Sequence, residues 1–217
     1  NELNGQVRLR SSIPVGAGLG ASAALCVAVA KWFQSMKMIQ AQEVYEFART
    51  LENLFHGESS GVDIAVALSG KGLKFIRNGE RNDFEPAWKP KWYVSYSGKR
   101  GVTVECVKKV KDLIAKDENF GAEVDQVMQQ AEELAEKALT QKPDAGLSEL
   151  VQSMNLAKSC FAKWGLTEGA PEQHMQMLLE QGALAVKPTG SGGGGYVLSL
   201  WKDAPPESIA KKLISCF

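Results

Sequence analysis

Residues 13–24, with the sequence IPVGAGLGASAA, place three glycines at alternate positions directly before a segment with helical spacing of apolar residues. Glycine lets a backbone approach a ligand closely because it has no Cβ. A helix N-terminus adds unpaired N–H groups and a partial positive charge, which suit an anion such as phosphate. The stretch therefore indicates a phosphate-binding loop, in which Ser22 supplies a further hydroxyl donor or a magnesium ligand.

Three other interpretations of this loop compete with a phosphate-binding role. A Walker A loop requires a lysine after its last glycine, and the sequence has none there. Gly16, Gly18 and Ala21 satisfy the GxGxxA pattern of a dinucleotide-binding turn, but the following segment predicts a helix where that fold needs a second parallel strand. A tight strand-to-helix corner without any ligand remains open for the loop taken alone.

Composition excludes several function classes. Lys plus Arg and Asp plus Glu number 25 each, so no net charge favours nucleic acid or an acidic membrane surface. The longest apolar run is about half of the ~20 residues that a bilayer requires. The four cysteines are widely spaced without a CxxC pair, which favours reduced thiols over a metal knuckle or a disulfide scaffold. We expect a cytoplasmic protein.

The pattern along the chain predicts a mixed α+β class in two lobes. A boundary is expected in the proline- and lysine-rich stretch EPAWKPK, giving domains at 1–88 and 89–217. Alternating residues predict a strand at 6–12, and Asn78 with Gly79 predicts the turn of a hairpin. The segment VDIAVALSG is buried helix or strand, and a last helix is expected from 206 to the C-terminus. The other expected elements are helices at 22–36, 41–55, 104–116, 122–140, 147–164 and 171–181, with strands at KWYVSYS and at the end of GGGGYVLSLW.

A second segment, ENLFHGESSGVDIAV at 52–66, carries three candidate polar residues. Glu52 and His56 are four residues apart on a helix and therefore share a face. Asp63 lies among apolar neighbours, where a carboxylate is either hydrogen-bonded or functional because unpaired burial is costly. The alternative for Glu52 and His56 is a solvated pair with a polar helix end.

The third segment, VKPTGSGGGGYVLSL at 186–200, places four consecutive glycines before an apolar strand. Ordering such a run costs much conformational entropy, which argues against a purely structural role. A flexible linker is the alternative, but the run leads directly into a strand and does not join two domains.

Together, these segments resemble the motifs of the GHMP kinase superfamily, and most of all its mevalonate kinase branch. The first resembles PxGxGLGSSAA, the second ExxxHGxPSGxDNAV and the third KxTGAGGGG. This chain departs from the first two motifs at Ala21, Ser59 and Ile64, where the family has serine, proline and asparagine. The resemblance implies a two-lobed fold, with part of a ribosomal-protein-S5-like N-terminal lobe and a ferredoxin-like C-terminal lobe.

The resemblance also implies a role for each matched residue. Asp63 corresponds to the catalytic aspartate, and Ser22 and Glu52 correspond to the ligands of Mg²⁺. The residues expected to hold the ATP phosphates are Gly16, Ala17, Gly18, Leu19, Gly20, Ala21 and Ser22. The residues expected on the substrate side are His56, Thr189, Gly190, Ser191 and Gly192.

The implied activity is transfer of the ATP γ-phosphoryl group to a hydroxyl of a small metabolite, with mevalonate the first candidate acceptor. Phosphomevalonate or a sugar is an alternative acceptor, and a non-catalytic nucleotide-binding relative is an alternative class. The family's lysine-containing first motif has no counterpart in this sequence, so we expect weak or no catalysis from this chain alone. The expected partner is a small-molecule substrate, not nucleic acid or a membrane, and a homodimer stays open.

Overall fold

The computed structural model describes residues 6–13 and 18–217. The first half of the described chain consists of three helices and a hairpin: α1 (Ala21–Ser35), a 3₁₀ turn (Ala41–Glu43), α2 (Val44–His56), α3 (Val62–Ser69), β1 (Gly72–Phe75) and β2 (Arg81–Phe84). The second half contains β3 (Lys91–Tyr96), α4 (Thr103–Lys116), α5 (Glu118–Thr140), α6 (Pro143–Lys163), α7 (Ala170–Glu180), β4 (Ala185–Pro188), β5 (Tyr196–Trp201), α8 (Glu207–Ala210) and β6 (Ile214–Ser215).

Most of the expected elements are present. The helix after the glycine loop is α1, and the ambiguous segment VDIAVALSG is the helix α3. The hairpin is confirmed as the antiparallel pair β1–β2. Asn78 has a φ of 59° in its turn, a left-handed conformation that asparagine adopts more readily than most residues.

Two expectations about strands and helices were wrong, and one strand was not predicted. Residues 6–12 are irregular and exposed, because a lone alternating segment is stable as a strand only when another strand satisfies its backbone. The last helix ends at Ala210, and the chain then forms β6 against β3. Strand β4 was not predicted, because it ends in Pro188 and proline is uncommon within strands. A proline is tolerated there because β4 lies at the edge of its sheet.

The larger sheet is antiparallel with the order β4-β5-β3-β6. Both of its faces are covered. On one face Val186 and Val197 pack with Met175 and Leu178 of α7. On the other face Ala185 and Leu200 belong to a core built largely from α5 and α6. The glycine-rich segment, residues 189–195, connects β4 to β5. Both ends of this segment are therefore anchored in the sheet.

Helices α1, α2 and α3 form a separate core. Its members are small or apolar, namely Ala23, Cys26, Val27, Ala30, Val44, Ala48 and Ile64. Ala30 and Ala48 are fully buried, and their short side chains let α1 and α2 approach closely.

None of the helices within residues 6–13 and 18–217 is long and apolar enough to cross a membrane. The domain boundary at residue 88 stays a prediction.

The packing of α5 on α6 depends on Gly146. A Cβ there would overlap the carbonyl oxygen of Ala138 and lie 3.1 Å from Trp88 Nε1, which donates a hydrogen bond to that same oxygen. We predict that Gly146→Ala lowers the free energy of unfolding by about 1–3 kcal/mol through overpacking. Denaturant unfolding measures this loss, with Ser148→Ala at an exposed site of the same helix as the control. Equal stability of the two variants would contradict the close packing at Gly146.

Candidate active site

The N-terminus of α1 presents free backbone donors. Gly18 and Gly20 have φ values of 72° and 71°, and α1 begins directly afterwards at Ala21. No side chain caps this end, and no acidic residue lies in the first turn of α1. The first N–H groups therefore remain available to an anion. Leu19 belongs to this described part of the loop, whereas Gly16 and Ala17 lie outside the described residues.

The close packing of α1 on α2 brings Ser22 to His56. Ser22 Oγ lies 3.0 Å from His56 Nε2, a hydrogen bond whose direction depends on the imidazole tautomer. One face of α2 carries Val44, Ala48, Glu52 and His56 at four-residue spacing. The first two are apolar and lie in the core, and the last two are polar and lie towards the N-terminus of α1.

Glu52 is the buried carboxylate of this region. It is 3% exposed, it accepts a hydrogen bond from Ser59 Oγ, and it forms no ion pair within 4 Å with any described residue. Burial, and then the charge of Glu52, raise the pKa of the Cys26 thiol. A buried carboxylate without a cation is costly.

A divalent cation fits this carboxylate. The described residues contain no group of three or more His, Cys, Asp or Glu side chains arranged as a metal cage. Mg²⁺ does not need such a cage, because it is usually held by one or two protein oxygens together with phosphate and water. Glu52 and the Ser22 hydroxyl are oxygen donors of that kind.

Asp63 lies in the first turn of α3, two residues after the N-cap Gly61, which has a φ of 83°. Its side chain makes no hydrogen bond to any described residue. Burial raises the pKa of this carboxyl, and the nearby His56 partly opposes the rise. Asp63 is thus an exposed residue whose carboxyl is partly desolvated by the surrounding protein, and it has no hydrogen-bond or ion-pair partner among the described residues.

The glycine-rich segment meets the glycine loop directly. A Cβ on Gly18 would lie 3.6 Å from Thr189 Oγ1, and one on Gly190 would lie 3.6 Å from the carbonyl oxygen of Gly18. Thr189 is fixed because both its N–H and its hydroxyl donate to the carbonyl of Tyr196, at 3.0 and 2.9 Å. Two segments some 170 positions apart in sequence thus lie close together, with little more than the room of one side-chain carbon between them.

The glycine run is an ordered loop, not a linker. Gly193 donates its N–H to the carbonyl of Leu166 at 2.7 Å, and Gly195 donates to Lys99 at 2.7 Å. Each of the four glycines has a positive φ. Gly192 is buried, and its carbonyl accepts from Cys106 Sγ at 3.4 Å, while Ser191 Oγ lies 3.3 Å from Thr103 Oγ1. Of the expected substrate residues in this loop, Thr189 and Gly190 are therefore the ones that lie close to Gly18.

Two neighbours of the acidic residues were not found by sequence reasoning. Ser59 was noted only as a departure from a motif, yet it contacts Glu52. Glu58 was not singled out, and its carboxylate pairs with Arg77 of the hairpin and with Lys111 of α4, at 3.2 Å for the latter. Arg77 first, and then Lys111, lower the pKa of Glu58. The loop between α2 and α3 is thereby tied to both halves of the chain.

Comparison with known proteins identifies relatives of this chain. Residues 2–71 match the family of the GHMP kinases N terminal domain. A mevalonate kinase of Aeropyrum pernix is 30% identical over 206 residues, covering 93% of this chain and 62% of that protein. The chain thus spans about three fifths of the length of such relatives.

Solved structures show the same fold. The crystal structure of L. major mevalonate kinase in complex with R-mevalonate superposes with a TM-score of 0.69 at 23% identity, covering 85% of this chain and 57% of that one. Streptococcus pneumoniae phosphomevalonate kinase in complex with phosphomevalonate and AMPPNP gives a TM-score of 0.69 at 15% identity, covering 93% and 68%. The described chain has the α+β fold of these kinases.

The raised pKa of Asp63 predicts a pH dependence of stability. Because the folded pKa exceeds the unfolded one, ionising Asp63 costs stability, and this cost is absent below the unfolded pKa and appears as pH rises through the folded pKa. Asp63→Asn should therefore gain in melting temperature over the unsubstituted chain as pH rises from about 4 to neutrality. Asp112→Asn, at an exposed position of α4, is the control and should show no such trend.

The position of Cys106 predicts a second effect. A Cβ on Gly193, which has a φ of 70°, would lie 2.7 Å from Cys106 Sγ. Gly193→Ala should destabilise the chain more than Gly70→Ala, because Gly70 also has a positive φ but has open space around it. Adding Cys106→Ala to Gly193→Ala should recover part of the loss in a thermal melt. No recovery would show that the loop is not held against Cys106.

Proposed function

Since residues 2–71 match the GHMP kinases N terminal domain and the relatives at about 30% identity are mevalonate kinases, we propose that the protein containing this chain transfers the γ-phosphoryl group of ATP to a hydroxyl of a small metabolite, with mevalonate as the first candidate acceptor. The observation that carries the proposal is the close approach of Gly18 to Thr189 and Gly190. This approach sets a phosphate-suited helix N-terminus against a second ordered glycine loop, and phosphoryl transfer requires little more than positioning and charge neutralisation.

The backbone of residues 16–22 would hold the phosphates of ATP at the start of α1. Glu52 and the Ser22 hydroxyl would hold Mg²⁺, which supplies neutralising charge to the phosphates when bound. The burial of Glu52 without an ion pair among the described residues supports this assignment. His56 would orient the Ser22 hydroxyl through the hydrogen bond between them.

Asp63 would orient the acceptor hydroxyl and accept its proton, wholly or in part. Its unpaired carboxyl and its raised pKa suit a group that binds a proton during turnover. Thr189 and Gly190 would border the acceptor from the other side, because they line the loop that faces Gly18.

The choice of acceptor rests on the names of the relatives. Mevalonate kinases are the relatives at about 30% identity, and one structure of the same fold contains phosphomevalonate. Phosphomevalonate is therefore the second candidate, and a nucleotide-binding relative without turnover is the candidate from another class. The homodimer and the cytoplasmic location stay predictions from the sequence.

An acceptor screen tests the proposal. For the full-length protein that contains this chain, we expect ADP release with mevalonate above that with phosphomevalonate or sugars. Asp63→Asn should reduce kcat by at least about 10²-fold, the scale of a lost general base, while ATP binding persists. Full turnover by Asp63→Asn would refute the catalytic assignment. ATP binding without turnover on any acceptor would favour the non-catalytic alternative.

A further inference from the structure

Ser59 joins three structural features through one side chain and its own amide. Its hydroxyl donates to Oε2 of Glu52, and Ser59 Oγ itself accepts the N–H of Gly61 at 3.0 Å. Its backbone N–H donates to Oδ1 of Asn53 at 2.7 Å. Ser59 is 7% exposed, so these bonds form away from bulk water.

The direction of these bonds is fixed by simple counting. A serine hydroxyl has one proton and two acceptor lone pairs. Because an amide N–H can only donate, the bond from Gly61 uses a lone pair of Ser59 Oγ. The hydroxyl proton is then free to point at the carboxylate of Glu52, which in its ionised form can only accept.

This arrangement satisfies only one of the two oxygens of the Glu52 carboxylate among the described residues. Glu52 Oε1 receives no hydrogen bond from any described residue, whereas Oε2 is held by Ser59. A carboxylate held at one oxygen keeps a defined rotamer and offers its other oxygen to a cation. Second-sphere hydrogen bonds of this type orient metal ligands and tune their affinity.

Ser59 is also linked through the backbone to Asp63, the proposed catalytic aspartate. Gly61, whose N–H bonds to Ser59, is the N-cap of α3, and Asp63 lies two residues later. The position of Glu52 and the start of the helix carrying Asp63 are therefore coupled through one oxygen atom. A proline at this position, as in the motif that the segment resembles, has neither the hydroxyl nor the N–H for these bonds.

We propose that Ser59 is a positioning residue that orients Glu52 for the divalent cation of the nucleotide complex. The inference rests on the proposed function for the presence of that complex. It goes further in assigning part of the metal affinity to a side chain that contacts neither nucleotide nor acceptor.

The test compares Ser59→Ala with Ser59→Thr in the full-length protein. Ser60→Ala is the matched control, because Ser60 is the adjacent exposed serine and its Oγ only accepts a weak bond of 3.3 Å from Val62. The first readout is the dissociation constant of Mn²⁺ in the presence of ATP, measured by electron paramagnetic resonance. The second is the Mg²⁺ concentration for half-maximal turnover beside the KM of the acceptor.

Ser59→Ala should weaken Mn²⁺ binding by about 10-fold or more, the usual effect of losing a second-sphere partner. The Mg²⁺ requirement should rise by a similar factor, with a much smaller change in the KM of the acceptor. Ser59→Thr should retain affinity through its hydroxyl, and Ser60→Ala should match the unsubstituted protein. If Ser59→Ala does not fold, Ser59→Cys takes its place as a variant of similar size that donates only weakly.

A purely structural role gives a different result. In that case Ser59→Ala lowers the melting temperature but leaves Mn²⁺ affinity and the Mg²⁺ requirement unchanged, and this outcome overturns the inference. Absence of Mn²⁺ binding by the unsubstituted protein with ATP also overturns it. Mn²⁺ binding that depends on Ser59 without turnover on any acceptor supports the inference while rejecting the kinase activity.

Discussion

The buried carboxylate of Glu52 constrains the whole candidate site. A negative charge in a core is tolerated only when polar groups and a cation compensate it. Here α1, α2 and the loop before α3 converge on it, and the described residues supply one hydroxyl but no cation within 4 Å. Ala30 and Ala48 allow this convergence because their small side chains let α1 and α2 pack closely. The Glu52 carboxylate therefore lowers the stability of this end of the core, and a bound cation would offset that loss.

The close approach of Gly18 to Thr189 adds a second constraint, which acts between distant parts of the sequence. The sheet fixes Thr189 through Tyr196, and the hydrogen bonds of Gly193 and Gly195 fix the rest of the loop. The positive φ values of the four glycines explain why no other residue type fits the run easily. The entropy that ordering these glycines costs is thus offset by a loop held rigidly against the start of α1, where a phosphate would bind.

Much of the fold could be predicted from sequence, and for identifiable reasons. Helix α1 and the β1–β2 hairpin follow local rules, namely a glycine loop before helical periodicity and a turn residue with positive φ. Strand β4 and the pairing of β6 with β3 could not be predicted, because edge position and partner strands decide them. The resemblance to known motifs selected Ser22, Glu52 and Asp63. It gave no information on the hydrogen bond between Ser22 and His56, which arises from the packing of two helices.

The departures from the motifs have different meanings once their surroundings are known. Ile64 replaces the family's asparagine, and by sequence alone this change loosens the choice of acceptor. In the structure Ile64 is fully buried and belongs to the core of α1, α2 and α3. Its side chain therefore packs away from solvent. We expect it to contribute to the stability of α3 more than to the choice of acceptor. Ser59 is the opposite case, since its hydroxyl contacts Glu52 directly. A change that looks equally mild in sequence thus bears on chemistry only where the side chain reaches a functional group.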